Sequence, residues 1–291
     1  MKKLYLIGKS LKHSISPLIH NRILSFLKID AVYSNIELPD YDRLKEFVEM
    51  VKRDKDVVGF NITIPYKEDI LEFCDDFSED VKIIQAANTV KKENGRLKAY
   101  NTDWLGFKRS LEETGIDIKE KRILILGAGG AAKACIYGLY RMGAEEIFVF
   151  NRNSWKVLEL KSQFGDLVKI DPVTIDTVFD FEIDIIINAT PIGMNGHSEG
   201  QVPFGMDRFI PERRNQLVLV YDTIYNPLTT KLLSIAKEND ILVQNGLKML
   251  VYQAMFANMI WFENKMEISL RFIQQITEMA SDYIIQLETQ S

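Results

Sequence analysis

An apolar run enters a glycine-rich turn at Arg122-Ile123-Leu124-Ile125-Leu126-Gly127-Ala128-Gly129-Gly130-Ala131-Ala132. The apolar residues predict a buried strand, and the pattern after the turn predicts a helix that reaches Met142. Gly127 permits a tight turn, Gly129 lets a pyrophosphate approach the backbone, and the helix N-terminus offers N–H donors that lack a partner within the helix. A second strand predicted at Ile147–Phe150 completes a βαβ unit, so the pattern indicates a dinucleotide site rather than a turn that serves packing alone.

The residues after that second strand indicate which dinucleotide is bound. An NAD site usually has an acidic residue there for the ribose 2′-hydroxyl, whereas this chain has Asn151-Arg152-Asn153-Ser154, with Lys156 close behind. A guanidinium can hold a 2′-phosphate through paired charge-assisted hydrogen bonds, and a carboxylate would repel it. The sequence therefore favours NADP over NAD, with a solvated surface charge as the alternative role of Arg152.

Short β-rich runs alternate with helical patterns along most of the chain. In the first part, strands are predicted at Leu4–Ile7, Val32–Leu38 and Val57–Thr63, helices at Leu18–Leu27 and Tyr41–Val51, and a hairpin around Asn94-Gly95. In the second part, strands are predicted at Arg122–Leu126, Ile147–Phe150, Ile183–Asn188, Leu217–Tyr221 and Ile241–Val243. Strands separated by helices predict an α/β fold with parallel sheets, and from Gly246 onward the spacing is helical only.

Composition and charge narrow the class of protein. The chain has 36 Lys plus Arg and 41 Asp plus Glu, a net charge of −5, which gives no general field for nucleic acid or an anionic membrane. No apolar run approaches the roughly 18 residues of a membrane span. Cys74 and Cys135 are too few for a disulfide scaffold, and His13, His20 and His197 share no ligand spacing. We therefore expect a cytoplasmic protein with no metal and with neither nucleic acid nor membrane as a partner.

Four polar clusters follow predicted strands or the hairpin, where the active sites of α/β proteins collect. They read His13-Ser14-Ile15-Ser16-Pro17, Asn61-Ile62-Thr63-Ile64-Pro65-Tyr66-Lys67, Ala87-Asn88-Thr89 and Asn101-Thr102-Asp103. Ser16-Pro17 is typical of a helix start, with the serine as cap, and its N-terminus would also suit a substrate carboxylate. Alone, Lys67 would be a surface lysine and Asp103 a helix cap, so the two become informative only with the other clusters.

These clusters resemble those of the shikimate dehydrogenase family. Nine motifs match in the family order from about Ser14 to Ala254. The last three read Asn188-Ala189-Thr190-Pro191-Ile192-Gly193-Met194, Asp222-Thr223-Ile224-Tyr225-Asn226-Pro227-Leu228-Thr229-Thr230 and Asn245-Gly246-Leu247-Lys248-Met249-Leu250-Val251-Tyr252-Gln253-Ala254. The match departs at Trp104, where the family often has glycine, and at Asn153; we expect Trp104 to pack and Ser154 to cap a helix.

The resemblance implies reversible, NADPH-dependent reduction of 3-dehydroshikimate to shikimate, a step of the shikimate pathway towards chorismate and the aromatic amino acids. It implies that the substrate is held by Ser14, Ser16, Thr63, Lys67, Asn88, Asp103, Tyr225 and Gln253. It implies that NADP lies at or near Glu79, Gly127, Ala128, Gly129, Gly130, Ala131, Asn151, Arg152, Asn153, Ser154, Trp155, Lys156, Ile224 and Gly246. Lys67 would be the catalytic proton donor in reduction and the acceptor in oxidation, paired with Asp103.

The resemblance also implies a division of the chain into two domains with a cleft between them. We expect residues 1–102 to form an α/β substrate-binding and catalytic domain, to which the C-terminal helices of 246–291 return. We expect residues 103–245 to form a Rossmann-like NADP-binding domain, and the sequence leaves a homodimer open. Two other functions compete with this one: an NAD-dependent relative that also accepts quinate, and a redox-silent nucleotide-binding module.

Overall fold

The computed structural model describes residues 1–196, 198–263 and 269–290, which divide into two units. The first unit comprises Met1–Gly106 with Val251–Ala280, and the second comprises Phe107–Leu250 with Ser281–Ser291. Within the described ranges each unit is built on a six-stranded sheet. The α/β class predicted from the alternation of strands and helices is confirmed.

The sheet of the first unit is mixed rather than parallel. Its strands are β1 (Lys2–Gly8), β2 (Ala31–Glu37), β3 (Val57–Ile62), β4 (Asp76–Phe77), β5 (Thr89–Glu93) and β6 (Arg96–Tyr100), in the order β2-β1-β3-β5-β6-β4. Strand β1 is parallel to β2 and β3, whereas β5 is antiparallel to β3 and β6. The predicted hairpin at Asn94-Gly95 accounts for the antiparallel β5–β6 pair, whereas the antiparallel pairing of β5 with β3 departs from the expected parallel sheet. Both turn residues have positive φ, as a tight hairpin of this type requires.

Helices connect the strands of the first sheet, and the late helix α9 packs on the same sheet. Helices α1 (Ser16–Phe26), α2 (Tyr41–Arg53) and α3 (Glu79–Ile84) connect its strands, α4 (Asp103–Glu112) follows β6, and α9 (Leu247–Phe262) and α10 (Leu270–Gln290) close the chain. On α9, Trp261 donates its indole N–H to the carbonyl of Val90 over 2.9 Å. A Cβ on Gly59 would lie 2.4 Å from the Trp261 indole nitrogen, so glycine permits this close packing of α9 on the sheet.

The sheet of the second unit is parallel throughout. Its strands are β7 (Ile123–Leu126), β8 (Glu146–Phe150), β9 (Lys169–Val173), β10 (Ile185–Asn188), β11 (Leu219–Asp222) and β12 (Leu242–Gln244), in the order β12-β11-β10-β7-β8-β9. This is the Rossmann order, in which the chain reverses its direction of winding between β7 and β10. Five strands match the predicted ones, while β9 was not predicted. It contains Pro172 and lies at the sheet edge, where a missing N–H is tolerated.

Glycine and polar residues lie together where the central strands of this sheet end, at their carboxyl termini. Strands β7, β10 and β11 are buried along their whole length and lead into Gly127, Asn188 and Asp222. Helices α5 (Gly130–Arg141), α6 (Ser154–Phe164), α7 (Met206–Arg213) and α8 (Lys231–Glu238) connect the strands. No helix in the described parts of the chain has both the length and the apolar character that crossing a bilayer requires.

Candidate active site

A lysine and a carboxylate meet in the first unit. Lys67 follows β3 through the turn at Pro65, and Asp103 is the first residue of α4. The Lys67 ammonium nitrogen lies 2.5 Å from Asp103 Oδ2, with 16% of the lysine side chain and 9% of the aspartate side chain exposed. The pair is therefore shielded from bulk water but still reachable, as a proton-transfer group must be.

The amide of Asn88 holds the carboxylate from the other side. Asn88 Nδ2 donates to Asp103 Oδ1 over 2.8 Å and lies 2.9 Å from the Thr102 hydroxyl oxygen. Its Oδ1 accepts from the Thr102 N–H over 2.7 Å and from the Thr89 hydroxyl over 3.1 Å. Asn88 is 3% exposed. Because both the NH2 group and the oxygen of this buried amide have hydrogen-bond partners, the amide is held in one orientation. The amide in turn fixes the orientation of the Asp103 carboxylate.

Gln253 joins this cluster from α9. Its Oε1 accepts from Asn88 Nδ2 over 3.2 Å, across 165 residues of sequence. Asn101 supports the same cluster, since its Oδ1 accepts from the N–H groups of Asp103 and Trp104 and so caps α4. Trp104 packs at 9% exposure, as predicted, and its indole N–H donates to Asp80. Supporting roles for Asn101, Thr102 and Thr89 were not predicted, although two of the quoted motifs contain these residues.

Three further predicted substrate residues lie in the segments that follow β1 and β3. Ser16 is buried and opens α1, Ser14 precedes it, and the Ser14 hydroxyl oxygen accepts the Ser16 N–H over 3.3 Å. The prediction that Ser16 caps this helix is wrong, because the Ile15 carbonyl accepts the N–H of Ile19 over 3.2 Å, which makes Ile15 the cap position and Ser16 the first helical residue. Thr63 is partly exposed and packs its methyl group over Gly8.

The glycine turn of the second unit has the form that a dinucleotide needs. Gly127 has φ of +110°, and a Cβ there would lie 3.0 Å from the carbonyl oxygen of Ala189, so only glycine fits. Gly129 is at the N-cap of α5, where a Cβ would meet open space. Since glycine offers no side chain to the first-turn N–H groups, these can bind a phosphate. Ala128 lies between these two glycines, and Gly130 and Ala131 are the first two residues of α5.

The segment after β8 presents a cation to solvent. Arg152 is exposed, and Asn151 Nδ2 donates to the carbonyl of Asn153 over 2.9 Å, which closes the loop. Asn153, rather than Ser154 as predicted, caps α6, because its Oδ1 accepts the N–H of Trp155 over 3.0 Å. Trp155 is 66% exposed on the first turn, beside Lys156, which is also exposed. An exposed arginine without a neighbouring carboxylate in the loop fits a 2′-phosphate.

The remaining predicted site residues lie in the loop after β11, directly before α9 and at the start of α3. Ile224 is buried and Tyr225 half-buried in the loop after β11, and the carbonyl of Ile224 accepts the N–H of Gly246 over 2.9 Å. Glu79 begins α3 in the first unit, with 86% of its side chain exposed, and pairs with Lys82 over 2.5 Å. His197 lies outside the described residues. Among the residues described, no cluster of three or more His, Cys, Asp or Glu side chains could hold a metal ion.

The comparisons with known proteins agree with this arrangement. Two family models match the chain. The one for the shikimate dehydrogenase substrate binding domain matches residues 6–90, and the one for shikimate / quinate 5-dehydrogenase matches residues 109–198. The shikimate dehydrogenase (NADP(+)) of Caldicellulosiruptor saccharolyticus is 66% identical over 263 residues, which cover 90% of this chain and 93% of the relative.

Solved structures extend the similarity to the whole fold. Shikimate dehydrogenase 1 of Peptoclostridium difficile has a TM-score of 0.84 at 30% identity and covers 98% of this chain and 99% of its own. The shikimate 5-dehydrogenase of Thermus thermophilus, in complex with NADP(H) and shikimate, has a TM-score of 0.81 at 30% identity, with coverages of 96% and 100%. Fold and site thus define an NADP-dependent oxidoreductase that acts on a CH–OH group. The chain belongs to the shikimate dehydrogenase family.

Proposed function

We propose that the chain interconverts 3-dehydroshikimate and shikimate with NADP(H), and that Lys67 and Asp103 carry the proton transfer. Family membership supports the reaction, since relatives that are 64% and 66% identical to this chain are NADP-dependent shikimate dehydrogenases. The observation that carries the chemical assignment is the shielded pair of Lys67 Nζ and Asp103 Oδ2 at 2.5 Å. The step belongs to the shikimate pathway.

Lys67 supplies what the reduced carbonyl needs. Bound NADPH would provide a hydride for the ring ketone carbon, which leaves negative charge on the ketone oxygen. An alkoxide requires both a proton and a nearby cation, and the ammonium of Lys67 offers the two together. In the reverse direction, the neutral amine of Lys67 takes the proton of the hydroxyl group.

Asp103 orients the lysine and contributes a second contact. One carboxylate oxygen faces Lys67 and the other faces Asn88, so the carboxylate cannot rotate without breaking one of these hydrogen bonds. Its remaining lone pairs can accept a hydrogen bond from a ring hydroxyl of the substrate. Asp103 thus holds the ammonium beside the oxygen that it protonates.

The other proposed substrate residues suit a polyhydroxylated ring with a carboxylate. Hydroxyl and amide side chains both donate and accept, and the set comprises Ser14, Ser16, Thr63, Asn88 and Gln253. Ser14 and Ser16 lie at the N-terminus of α1, whose N–H groups and dipole favour the substrate carboxylate. Tyr225 is proposed as a substrate contact, and Glu79 as a cofactor contact, on the family resemblance alone.

The second unit would hold NADP. The glycine turn at Gly127–Ala131 would bind the pyrophosphate, and Arg152 the 2′-phosphate, with Asn151, Asn153, Ser154, Trp155 and Lys156 around it. Ile224 and Gly246 would contact the remainder of the dinucleotide.

We also propose that the protein is cytoplasmic and forms a homodimer. Cell fractionation tests the location, and light scattering of the purified protein tests the oligomeric state.

The test compares two substrates and two cofactors on the purified protein. We expect NADPH oxidation on addition of 3-dehydroshikimate, NADP reduction with shikimate, and lower kcat/KM with NAD or quinate. Absence of turnover above background in both directions would overturn the proposed reaction. Equal or higher kcat/KM with NAD and quinate would instead favour the related quinate-accepting enzyme.

A further inference from the structure

Asp222, at the carboxyl end of β11, is fully buried although it carries a carboxyl group that the proposed mechanism does not use. It accepts three hydrogen bonds. Its Oδ1 accepts from the Ile224 N–H and from Asn188 Nδ2, each over 3.0 Å, and its Oδ2 accepts from the Thr230 hydroxyl over 2.7 Å. These donors come from three segments: the end of β10, the loop after β11 and the cap of α8.

The same hydrogen bonds continue towards the glycine turn. Asn188 Oδ1 accepts from the N–H and the hydroxyl of Thr190, over 3.1 Å and 2.7 Å. A Cβ on Gly127 would lie 3.0 Å from both the Ala189 carbonyl oxygen and the Thr190 methyl group, so this loop packs directly on the turn. The loop after β10 thus links Asp222 to the predicted pyrophosphate site.

In the other direction the contacts reach Gly246. The Ile224 carbonyl accepts the N–H of Gly246, and a Cβ on Gly246 would lie 2.0 Å from the Thr223 carbonyl oxygen. Gly127, Ile224 and Gly246 are all proposed cofactor contacts. Asp222 is linked to Gly127 through the loop after β10, and to Gly246 through Ile224. Its three hydrogen bonds therefore determine how the loops are spaced along the edge of the sheet.

Burying a carboxylate is costly, and packing alone would be satisfied by an apolar residue of similar size. Burial raises the pKa of Asp222 to about 7, although its three donors favour the ionised form. We propose that Asp222 is a positioning residue that holds the Ile224–Tyr225 segment and the loop after β10 in the geometry that binds the dinucleotide, a proposal that rests on the proposed function.

The variant that tests this is Asp222→Asn, which keeps the shape but replaces one acceptor oxygen with an NH2 group, so that one of the three donors loses its acceptor. The matched control is Asp184→Asn at the opposite end of the same sheet, where the carboxylate accepts the N–H of Arg122 over 2.9 Å. The readouts are the Kd for NADP⁺ by calorimetry and, without nucleotide, the hydrogen exchange of the Ile224 amide. Both are measured at a temperature where circular dichroism shows each variant folded.

We expect Asp222→Asn to raise the Kd for NADP⁺ about tenfold or more and to speed exchange at Ile224, with Asp184→Asn unchanged in both. Wild-type affinity in Asp222→Asn, or equal losses in the two variants, would overturn the proposal.

If Asp222→Asn does not fold, Thr230→Val and Thr230→Ser provide the test. Only Thr230→Val should weaken NADP⁺ binding, and equal affinities in the two variants would refute the positioning role. A wild type that binds NADP⁺ but fails to reduce 3-dehydroshikimate would overturn the proposed function and leave this result standing.

Discussion

The amide of Asn88 donates to Asp103 Oδ1 over 2.8 Å, on the oxygen opposite the one that faces Lys67. The carboxylate is therefore held between two donors, one neutral and one charged. Because Asn88 is itself fixed by Thr102 and Thr89, the orientation of the acid–base pair depends on a buried polar cluster rather than on the two residues alone.

Removing this amide should slow the reaction without unfolding the unit. In Asn88→Ala, Asp103 loses one of its two donors, and we expect kcat to fall about tenfold or more. Steady-state kinetics with 3-dehydroshikimate measures the loss. Asn21→Ala is the matched control, since the Asn21 amide hydrogen-bonds the backbone N–H and carbonyl of Tyr33, away from the acid–base pair. Similar kcat values in the two variants would contradict the role given to Asn88.

Arg152 should determine the choice between NADP and NAD. Arg152→Gln removes the charge proposed to hold the 2′-phosphate, so we expect the Kd for NADP⁺ to rise about 10- to 100-fold while that for NAD⁺ changes little. Calorimetry with both dinucleotides measures the ratio. Lys161→Gln, a charge removal farther along α6, should leave both affinities unchanged. A parallel loss of affinity for both dinucleotides would rule out a contact to the 2′-phosphate.

Asp222 should make the protein less stable as pH rises towards neutrality. Its pKa of about 7 in the folded state lies above the unfolded value near 4, so the folded state binds more protons between these limits. Stability from this group is then lost as pH increases through the window, with a slope of up to about 1.4 kcal/mol per pH unit. In urea denaturation between pH 4.5 and 7, the pH dependence of Asp222→Asn should differ from that of the wild type by this slope, and identical pH dependences would contradict it.

His20 should act with the opposite sign in the first unit. Burial lowers its pKa to about 3, and its Nδ1 lies 2.9 Å from Asn258 Nδ2. The unfolded chain therefore binds a proton that the folded chain does not between about pH 6.5 and 3, and stability falls as pH decreases there. His20→Gln should flatten this decline in urea titrations from pH 6.5 to 4.5. A decline as steep as that of the wild type would exclude His20 as its source.

The second unit could be predicted from sequence because its central strands are buried on both faces. Such strands read as continuous apolar runs, and the glycine turn marks where the first of them ends. The edge strand β9 could not be predicted, since Lys169 and Pro172 interrupt its apolar pattern. The antiparallel pairing of β3 with β5 could not be predicted either, because it depends on contacts between distant segments rather than on local periodicity.

The site was predicted less completely than the fold. Neither Lys67 nor Asp103 carries a local signal, and the two are 36 residues apart, so only the family resemblance joined them. The partners of Asn88 and the central position of Asp222 depend on tertiary contacts and on burial. Local hydrogen bonds determine where α1 and α6 begin, and the predicted caps Ser16 and Ser154 were each wrong by one residue.

The most direct test of the account is the turnover of Lys67→Met on 3-dehydroshikimate at saturating NADPH. The substitution removes the proton donor and its charge but keeps much of the side-chain volume. We expect kcat to fall about 100- to 10,000-fold, the range attributed to a positioned general acid, while the Kd for NADPH stays at the wild-type value. Nearly full turnover combined with a loss of substrate affinity alone would contradict the assignment of Lys67 as the proton donor.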